Sequence, residues 1–536
     1  MPKGSRLPGL PFGLTTFFRN GHIRTPSAPT DENEHELPGV PIAGDGIVDE
    51  NGHLFQTESI NVLTFYSISN QIKKPVVLIT FLSPGGPMNK SLATLTLEKR
   101  REQLQPHIVQ VSPNVWVSVA EDVSNVAMIR GKDGLVLVDT GMIPDRAAII
   151  LEAFRKIAPL DRYPIKAIIY THGHGDHTGG SPVFCAEGSK PEIWARDNFG
   201  AEVLPFERAG LMPLFKARGG KQGGFLLPPE KRICNGISPV RYPRAGGAVF
   251  SGKTGAVLPD HFFSDDVTLE IAGLKLHLFA TPGETDDALS VWFPEERVLF
   301  CGDDLYRSFP NVYPVRGTGN RDIPAWCSSL KRLESLDADV LVPGHTDPFT
   351  GKDHVKEVLT NYREALEYVF DKTIEGMNAG KTPDELAREV RLPEHLSSLD
   401  YLEEAYGNVS WTVRNIFNSL VGWFDGNPLH LAEGNSPERE ALHMAALAGG
   451  EEALFRQAQN ALALKDAIWA ARLADHLLAL TPREKEYLNL KAEALEILAE
   501  EMLTATGRNY TFSVAQELRS LAEKTATNPE GPVASA

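Results

Sequence analysis

The sequence predicts a layered α/β core followed by an all-α region, and three observations carry that prediction. Between residues 107 and 301, short runs rich in Val, Ile and Leu recur between Gly, Asp, Asn and Pro turns, which is the pattern of strands. Helical segments lie in the same region, so the sheets must be covered by helices. Beyond about residue 393 the strand-like runs cease, and residues 442–503 are dense in Ala, Leu and Glu.

Taken in chain order, residues 55–65 have the β-branched content of a strand, and 75–82 is an apolar run of strand length. Residues 95–104, rich in Glu, Lys, Arg and Leu, predict a helix. Strands are expected at 109–112, 115–119, 126–130, 135–139 and 165–170, with a helix at 145–157. Further strands are expected at 267–271, 274–280, 289–293 and 298–301, and a helix near 362–370. The Ala/Leu/Glu stretch breaks at Gly449-Gly450, Lys465-Asp466 and Thr481-Pro482, which predicts antiparallel amphipathic helices. Their spacing suits tetratricopeptide-like hairpins and an ordinary helical bundle about equally.

A chain of 536 residues exceeds one ordinary core, so two or three domains are expected. Its net charge of −17 argues against a nucleic-acid partner, because neutralising phosphates needs a basic surface. No apolar run is long enough to span a membrane. Cys185, Cys234, Cys301 and Cys327 are scattered without CxxC pairing, as in a reducing compartment. The first thirty residues carry Lys3, Arg6, Arg19 and Arg24 with no acid before Asp31. Pro and Gly interrupt any helix there, so a disordered tail on a cytoplasmic protein is expected, with organellar targeting as the alternative.

Chemistry concentrates in Thr171-His172-Gly173-His174-Gly175-Asp176-His177, directly after the strand at 165–170. Imidazole and carboxylate hold Zn²⁺ and similar ions in sites open to water. In extended backbone His172 and His174 point to one side and can share a metal, while the turn at Gly175 lets Asp176 and His177 face a second position. Glu284, Asp303 and His345 each follow an apolar strand on a tight turn. Ligand-type residues at the ends of successive strands converge on one rim, where sheet-based enzymes place their chemistry.

At this point the chain resembles the metallo-β-lactamase fold, whose hallmarks are HxHxDH, a GD turn and a late GH. Within that superfamily it is similar to the alkylsulfatase branch. An acid, Glu284, follows Thr281-Pro282-Gly283, and residues 309–317 with Arg321-Asp322 resemble that branch's NLYTLRG…RD segment. Residues 409–417 and 422–428 look like the opening of its helical dimerisation domain.

The resemblance implies an αββα sandwich followed by an all-α dimerisation domain. The expected divisions are a partly disordered leader over 1–105, a catalytic domain over 106–355, a helical connector over 356–400, a dimerisation domain over 401–527 and a disordered tail over 528–536. It further implies two Zn²⁺ ions, the first held by His172, His174 and Glu284, the second by Asp176, His177 and His345, with Asp303 between them. Zinc-activated hydroxide would attack the ester, Asp176 would act as base or relay, and Asp139 would either orient a ligand histidine or serve a surface turn.

The implied function is zinc-dependent hydrolysis of sulfate esters of hydrophobic alcohols by a homodimer; a phosphoester, lactone or amide on the same metals is the alternative. A non-enzymatic helical scaffold on a silent metal fold is a more distant one. Arg316 would grip the anion or pair with Asp322. Tyr306, Phe309, Tyr313 and Trp411 would wall the apolar group, although Trp411 could equally pack in the core. The chain departs from the family pattern at Pro314, in place of a threonine, and at Trp411, in place of a histidine.

Overall fold

The computed structural model describes residues 90–186, 190–240, 255–432, 434 and 436–527, together with the backbone of four short strands nearer the N-terminus. The chain divides into two compact units, Met1–Asn89 and Lys90–Ala536. In the first, β1 (Gly46–Val48) pairs antiparallel with β2 (Leu54–Gln56), and β3 (Ile60–Phe65) with β4 (Val76–Phe81). The tails expected at residues 1–30 and 528–536 lie outside the described residues.

In the second unit, β5 (His107–Ser112), β6 (Val115–Val119), β7 (Val126–Arg130) and β8 (Leu135–Val138) form an antiparallel meander. The helix Pro144–Ile157 then crosses over to β9 (Ile165–Ile169), which pairs parallel to β8. β10 (Glu192–Arg196) and β11 (His261–Phe263) continue in parallel and complete seven strands in the order β11-β10-β9-β8-β7-β6-β5. The second sheet runs β12 (Asp266–Ile271), β13 (Leu274–Ala280), β14 (Leu289–Phe293), β15 (Val298–Gly302), β16 (Val340–Pro343) and β17 (Phe349–Thr350) in order. Only β15 and β16 pair in parallel there, joined by the helix Ile323–Glu334.

Strand alternation explains the layers. Val117, Val136 and Ile169 of the first sheet meet Leu276, Val291 and Phe300 of the second in one apolar cluster. Their neighbours Leu137 and Ile168 point outward onto Ile150, Leu151 and Phe154 of the crossover helix. On the opposite side Leu299 and Leu341 pack against Trp326, Leu330, Leu359 and Tyr362 of the helices Ile323–Glu334 and Lys352–Asn378. The result is the αββα sandwich.

Among the described residues from Lys352 to Thr527, the chain is helical apart from turns. The breaks read at residues 449–450, 465–466 and 481–482 are the turns between the helices Pro437–Ala448, Glu451–Ala463, Ala467–Leu480 and Lys485–Glu501. Gly449 and Gly450 have φ of 92° and 115°, a region that glycine enters without steric cost. Asp466 caps the next helix by accepting from the Trp469 amide. Two segments differ from expectation. The helix near 362–370 extends over 27 residues, Lys352–Asn378, because no proline interrupts its apolar stripe. The helix Leu92–Gln103, assigned from sequence to the leader, is held within the second unit: Thr94 Oγ1 donates to Glu500 at 2.6 Å, and Arg100 to the Arg307 carbonyl at 2.6 Å.

Candidate metal centre

β9 ends at Ile169, and the next eight residues carry the HxHxDH run to one end of the sandwich. His172 lies in a bend just past the strand and His174 in extended backbone, whereas Asp176 and His177 lie on a helical turn, Gly175–Thr178. Hydrogen bonds tie this loop to the second sheet. The Thr171 carbonyl accepts from Leu289 N at 2.8 Å, and Asp287 accepts from the Gly173 amide at 2.9 Å and the Gly200 amide at 2.7 Å. Parallel β15 and β16 bring Asp303 and His345 to the same end, where the Gly344 amide donates to the Gly302 carbonyl at 2.7 Å. Gly344 admits no side chain, since a Cβ there would lie 2.2 Å from Asp303 Oδ1.

All seven residues singled out from the sequence come together in two groups. His172, His174, Glu284 and Asp303 form one, and Asp176, His177 and His345 the other; within each, the candidate ligand atoms lie within 4.8 Å of one another. Asp303 spans both, with Oδ1 3.4 Å from His177 Nε2, and Oδ2 3.2 Å from His345 Nε2 and 3.9 Å from His172 Nε2.

Each histidine has one ring nitrogen toward this centre and the other on a fixed partner. His177 Nδ1 is 2.7 Å from Asp139 Oδ2, His345 Nδ1 is 2.7 Å from the Val123 carbonyl and His172 Nδ1 is 3.1 Å from Thr171 Oγ1. His174 is turned the other way: Nδ1 faces His172 Nε2 at 2.8 Å, and Nε2 lies 3.3 Å from Glu202. Such partners fix the ring orientation and tautomer that a ligand histidine needs. Asp139 is buried and also accepts from Thr171 N and Oγ1, both at 2.8 Å, so its place is beside His177 rather than at a surface turn.

The electrostatics are those of a site arranged to receive positive charge. His177 Nε2, Glu284 Oε2 and Asp303 Oδ1 are buried without any hydrogen-bond partner, a costly arrangement for a core. Burial drives the Glu284 carboxyl up to about 8 despite the neighbouring Arg321. Burial opposes ionisation of Asp303 as well, yet His345 and His177 hold it well below the carboxylate range. Burial and the surrounding imidazoles push His172 well below its ordinary value, which keeps its lone pair available. His177 is also disfavoured by burial, but Asp303, Asp139 and Asp176 raise it well above. Cations placed in both groups would relieve these frustrated charges, so the donor set fits divalent metal.

The expected substrate residues fare differently. Arg316 is mostly buried over the Phe215 ring, 4.7 Å from its centroid, and its partner is Glu202 at 2.6 Å. Asp322, the partner expected for Arg316 if it were structural, instead caps the helix Ile323–Glu334 by accepting from Ala325 N at 2.9 Å. Arg321 is fully enclosed by Glu284, Glu202 and the Asn311 carbonyl. Tyr306 and Phe309, expected to wall a substrate, are core residues with 0% exposure. Tyr306 packs edge-on against Tyr362 and Tyr406, and the helix Lys352–Asn378 covers this face. Tyr313 is half-buried, and Trp411 packs its ring onto Gly507 of the last helix, Ala505–Thr527. Sequence reasoning missed Glu202, which sits in an aperiodic turn between β10 and the helix Val203–Arg208 and carries no local signal.

This fold and donor set define a metal-dependent hydrolase. Residues 119–345 match the model of the metallo-beta-lactamase superfamily, and residues 382–521 that of the alkyl sulfatase dimerisation domain. A linear primary-alkylsulfatase from Pseudomonas sp. (strain ATCC 19151) is 35% identical over 399 residues, covering 73% of each chain. Another linear primary-alkylsulfatase, from Pseudomonas sp., is 28% identical over 77% of this chain, which spans 61% of that protein's length. Among solved structures, the stereoselective inverting sec-alkylsulfatase Pisa1 from Pseudomonas sp. superposes with a TM-score of 0.72 at 26% identity, covering 79% of this chain and 67% of that one. The chain belongs to the alkylsulfatase family of the metallo-beta-lactamase superfamily. None of its described helices is long and apolar enough to cross a membrane.

Proposed function

We propose that this protein is a dinuclear zinc hydrolase that cleaves sulfate esters of hydrophobic alcohols. The observation that carries this reading is the pair of ligand groups joined by Asp303, with orphaned donor atoms aimed into the space between them. His172 Nε2, His174 Nδ1 and Glu284 would hold one ion; Asp176, His177 Nε2 and His345 Nε2 would hold the other. Bound zinc ions would supply activation of water near neutral pH and would offset negative charge at the reacting ester.

The chain's own residues do the rest. Asp176 has the most exposed side chain of the ligand carboxylates (25%), which supports a role as the base that takes a proton from water. Arg316, the less buried of the two arginines, presents its guanidinium to the ester's anionic group. Tyr313 and Trp411 are the partly exposed aromatics that would meet the apolar chain. Sulfate ester is favoured as the substrate class because the similar enzymes are named alkylsulfatases. Exposed Trp423, Leu429, Leu442 and Leu447 in the helical region support a homodimer formed through that region. The scattered free cysteines support a cytoplasmic setting.

The test is sulfate release from dodecyl sulfate by zinc-loaded protein, beside His172→Ala and Arg316→Ala. Release that both variants abolish supports the reading. A protein that binds two metals yet releases no sulfate would overturn the substrate class and leave a phosphoester, lactone or amide on the same centre.

A further inference from the structure

His174 differs from the other three histidines of the centre, because it offers Nδ1 rather than Nε2 to the metal side. An imidazole that donates the Nδ1 lone pair must carry its proton on Nε2. Two groups lie within reach of that proton. Arg316 Nη2 is 3.2 Å from His174 Nε2, and Glu202 Oε1 is 3.3 Å away. A guanidinium has five donors and no acceptor, so it cannot receive the proton. Glu202 can: an ionised carboxylate only accepts, and its side chain is only 6% exposed.

Glu202 is itself held in place. Arg321 Nη2 donates to Oε2 at 3.0 Å, and Arg316 Nη2 lies 2.6 Å from Oε1. Arg321 also grips Glu284, the carboxylate in the same metal group as His174. One buried carboxylate therefore connects two members of a single metal group and the arginine beside it.

We propose that Glu202 is the positioning residue of the first metal site: it accepts the Nε2 proton of His174, fixing the tautomer that presents Nδ1 to the ion, and in doing so replaces Arg316 as the neighbour of that nitrogen. With no metal bound, the same distances suit the opposite tautomer, in which Nδ1 donates to His172 Nε2 and Nε2 accepts from Arg316. Loading the site then favours the Nε2-protonated tautomer, in which that nitrogen donates to Glu202 rather than accepting from Arg316. This inference rests on the two-metal reading above and adds to it a residue that contacts no metal.

The test is a zinc competition titration against a chromophoric chelator, on full-length wild type, Glu202→Ala, Glu202→Gln and the exposed control Glu207→Ala. Removing the partner of a ligand histidine weakens metal binding about 10–100-fold. The expected result is a loss of that size at one of the two zinc sites in Glu202→Ala. Glu202→Gln, which keeps one acceptor oxygen and the side-chain volume, should lose less, and Glu207→Ala nothing. The second zinc site is the internal control, because a general loosening of the fold would weaken both. Wild-type affinity at both sites in both Glu202 variants, or equal weakening of both sites, overturns the proposal while leaving two-metal binding intact. A wild type that takes up no zinc overturns the two-metal reading and this inference together.

Discussion

Asp139→Asn separates the orientation of a ligand from the ligand itself. Asp139 is 2% exposed and accepts three hydrogen bonds: from Thr171 N at 2.8 Å, Thr171 Oγ1 at 2.8 Å and His177 Nδ1 at 2.7 Å. Its φ is +59°, in the left-handed region that Asn tolerates as well as Asp, so the backbone should not object to the change. The amide keeps one acceptor and turns the other into a donor. If oxygen stays on the Thr171 amide, the new NH₂ faces His177 Nδ1, which must then accept. The imidazole proton moves to Nε2, where it points at Asp303 Oδ1, 3.4 Å away, and the lone pair meant for the metal is lost.

Loss of such a partner typically costs about 10–100-fold in metal affinity, or about 1.4–2.7 kcal/mol. Isothermal or chelator-competition titration should find that loss at the site holding Asp176, His177 and His345, with the other site near wild type. Far-UV circular dichroism should be unchanged. If the Asp139→Asn variant binds both ions as tightly as wild type, the tautomer argument is wrong for His177, and by extension for the centre.

Two further perturbations follow from the geometry. Gly344→Ala places a Cβ 2.2 Å from Asp303 Oδ1 and 2.9 Å from His177 Cε1, so the carboxylate must move. It should destabilise by about 1–3 kcal/mol and lower metal occupancy by elemental analysis, whereas full occupancy at wild-type Tm would contradict the close packing described. Asp122 is fully buried, and desolvation raises its pKa from 3.8 to about 6 against three backbone N–H donors. A raised folded-state pKa contributes stability that is complete below 3.8 and is lost as pH rises through 6. At 1.36 kcal/mol per unit, the metal-free wild type should lose about 2.4 kcal/mol relative to Asp122→Asn between pH 4 and 7, measured by denaturant unfolding. A stability gap that is flat with pH would refute the shift.

Much of the centre was legible because its residues sit where the local pattern changes abruptly. Each of Glu284, Asp303 and His345 follows an apolar strand through a Gly turn, and only two residues separate the HxHxDH run from β9. The common direction of β13, β15 and β16 then sets the end of the sandwich they share. The helical hairpins were readable from Gly449-Gly450 and the Asp466 cap for the same reason: the signal is local. Glu202 was not, since its burial depends on Arg316 and Arg321, which arrive from another segment of the fold. Tyr306 and Phe309 were misread as substrate wall because aromatics near a metal strand look alike in sequence. What buries them is the helix Lys352–Asn378, whose full length was also missed. The helix Met212–Gln222 went unread because Pro213, Gly219 and Gly220 mimic a loop.

The central claim is a centre that holds two metal ions through separate ligand groups. It is tested most directly by the zinc content per chain of wild type, His172→Ala and His345→Ala after loading and removal of excess metal. The proposed function predicts two ions in wild type and one in each variant, with the remaining ion lying in the intact group in anomalous diffraction maps. A wild type that retains one ion or none, with all seven side chains in place, would contradict it.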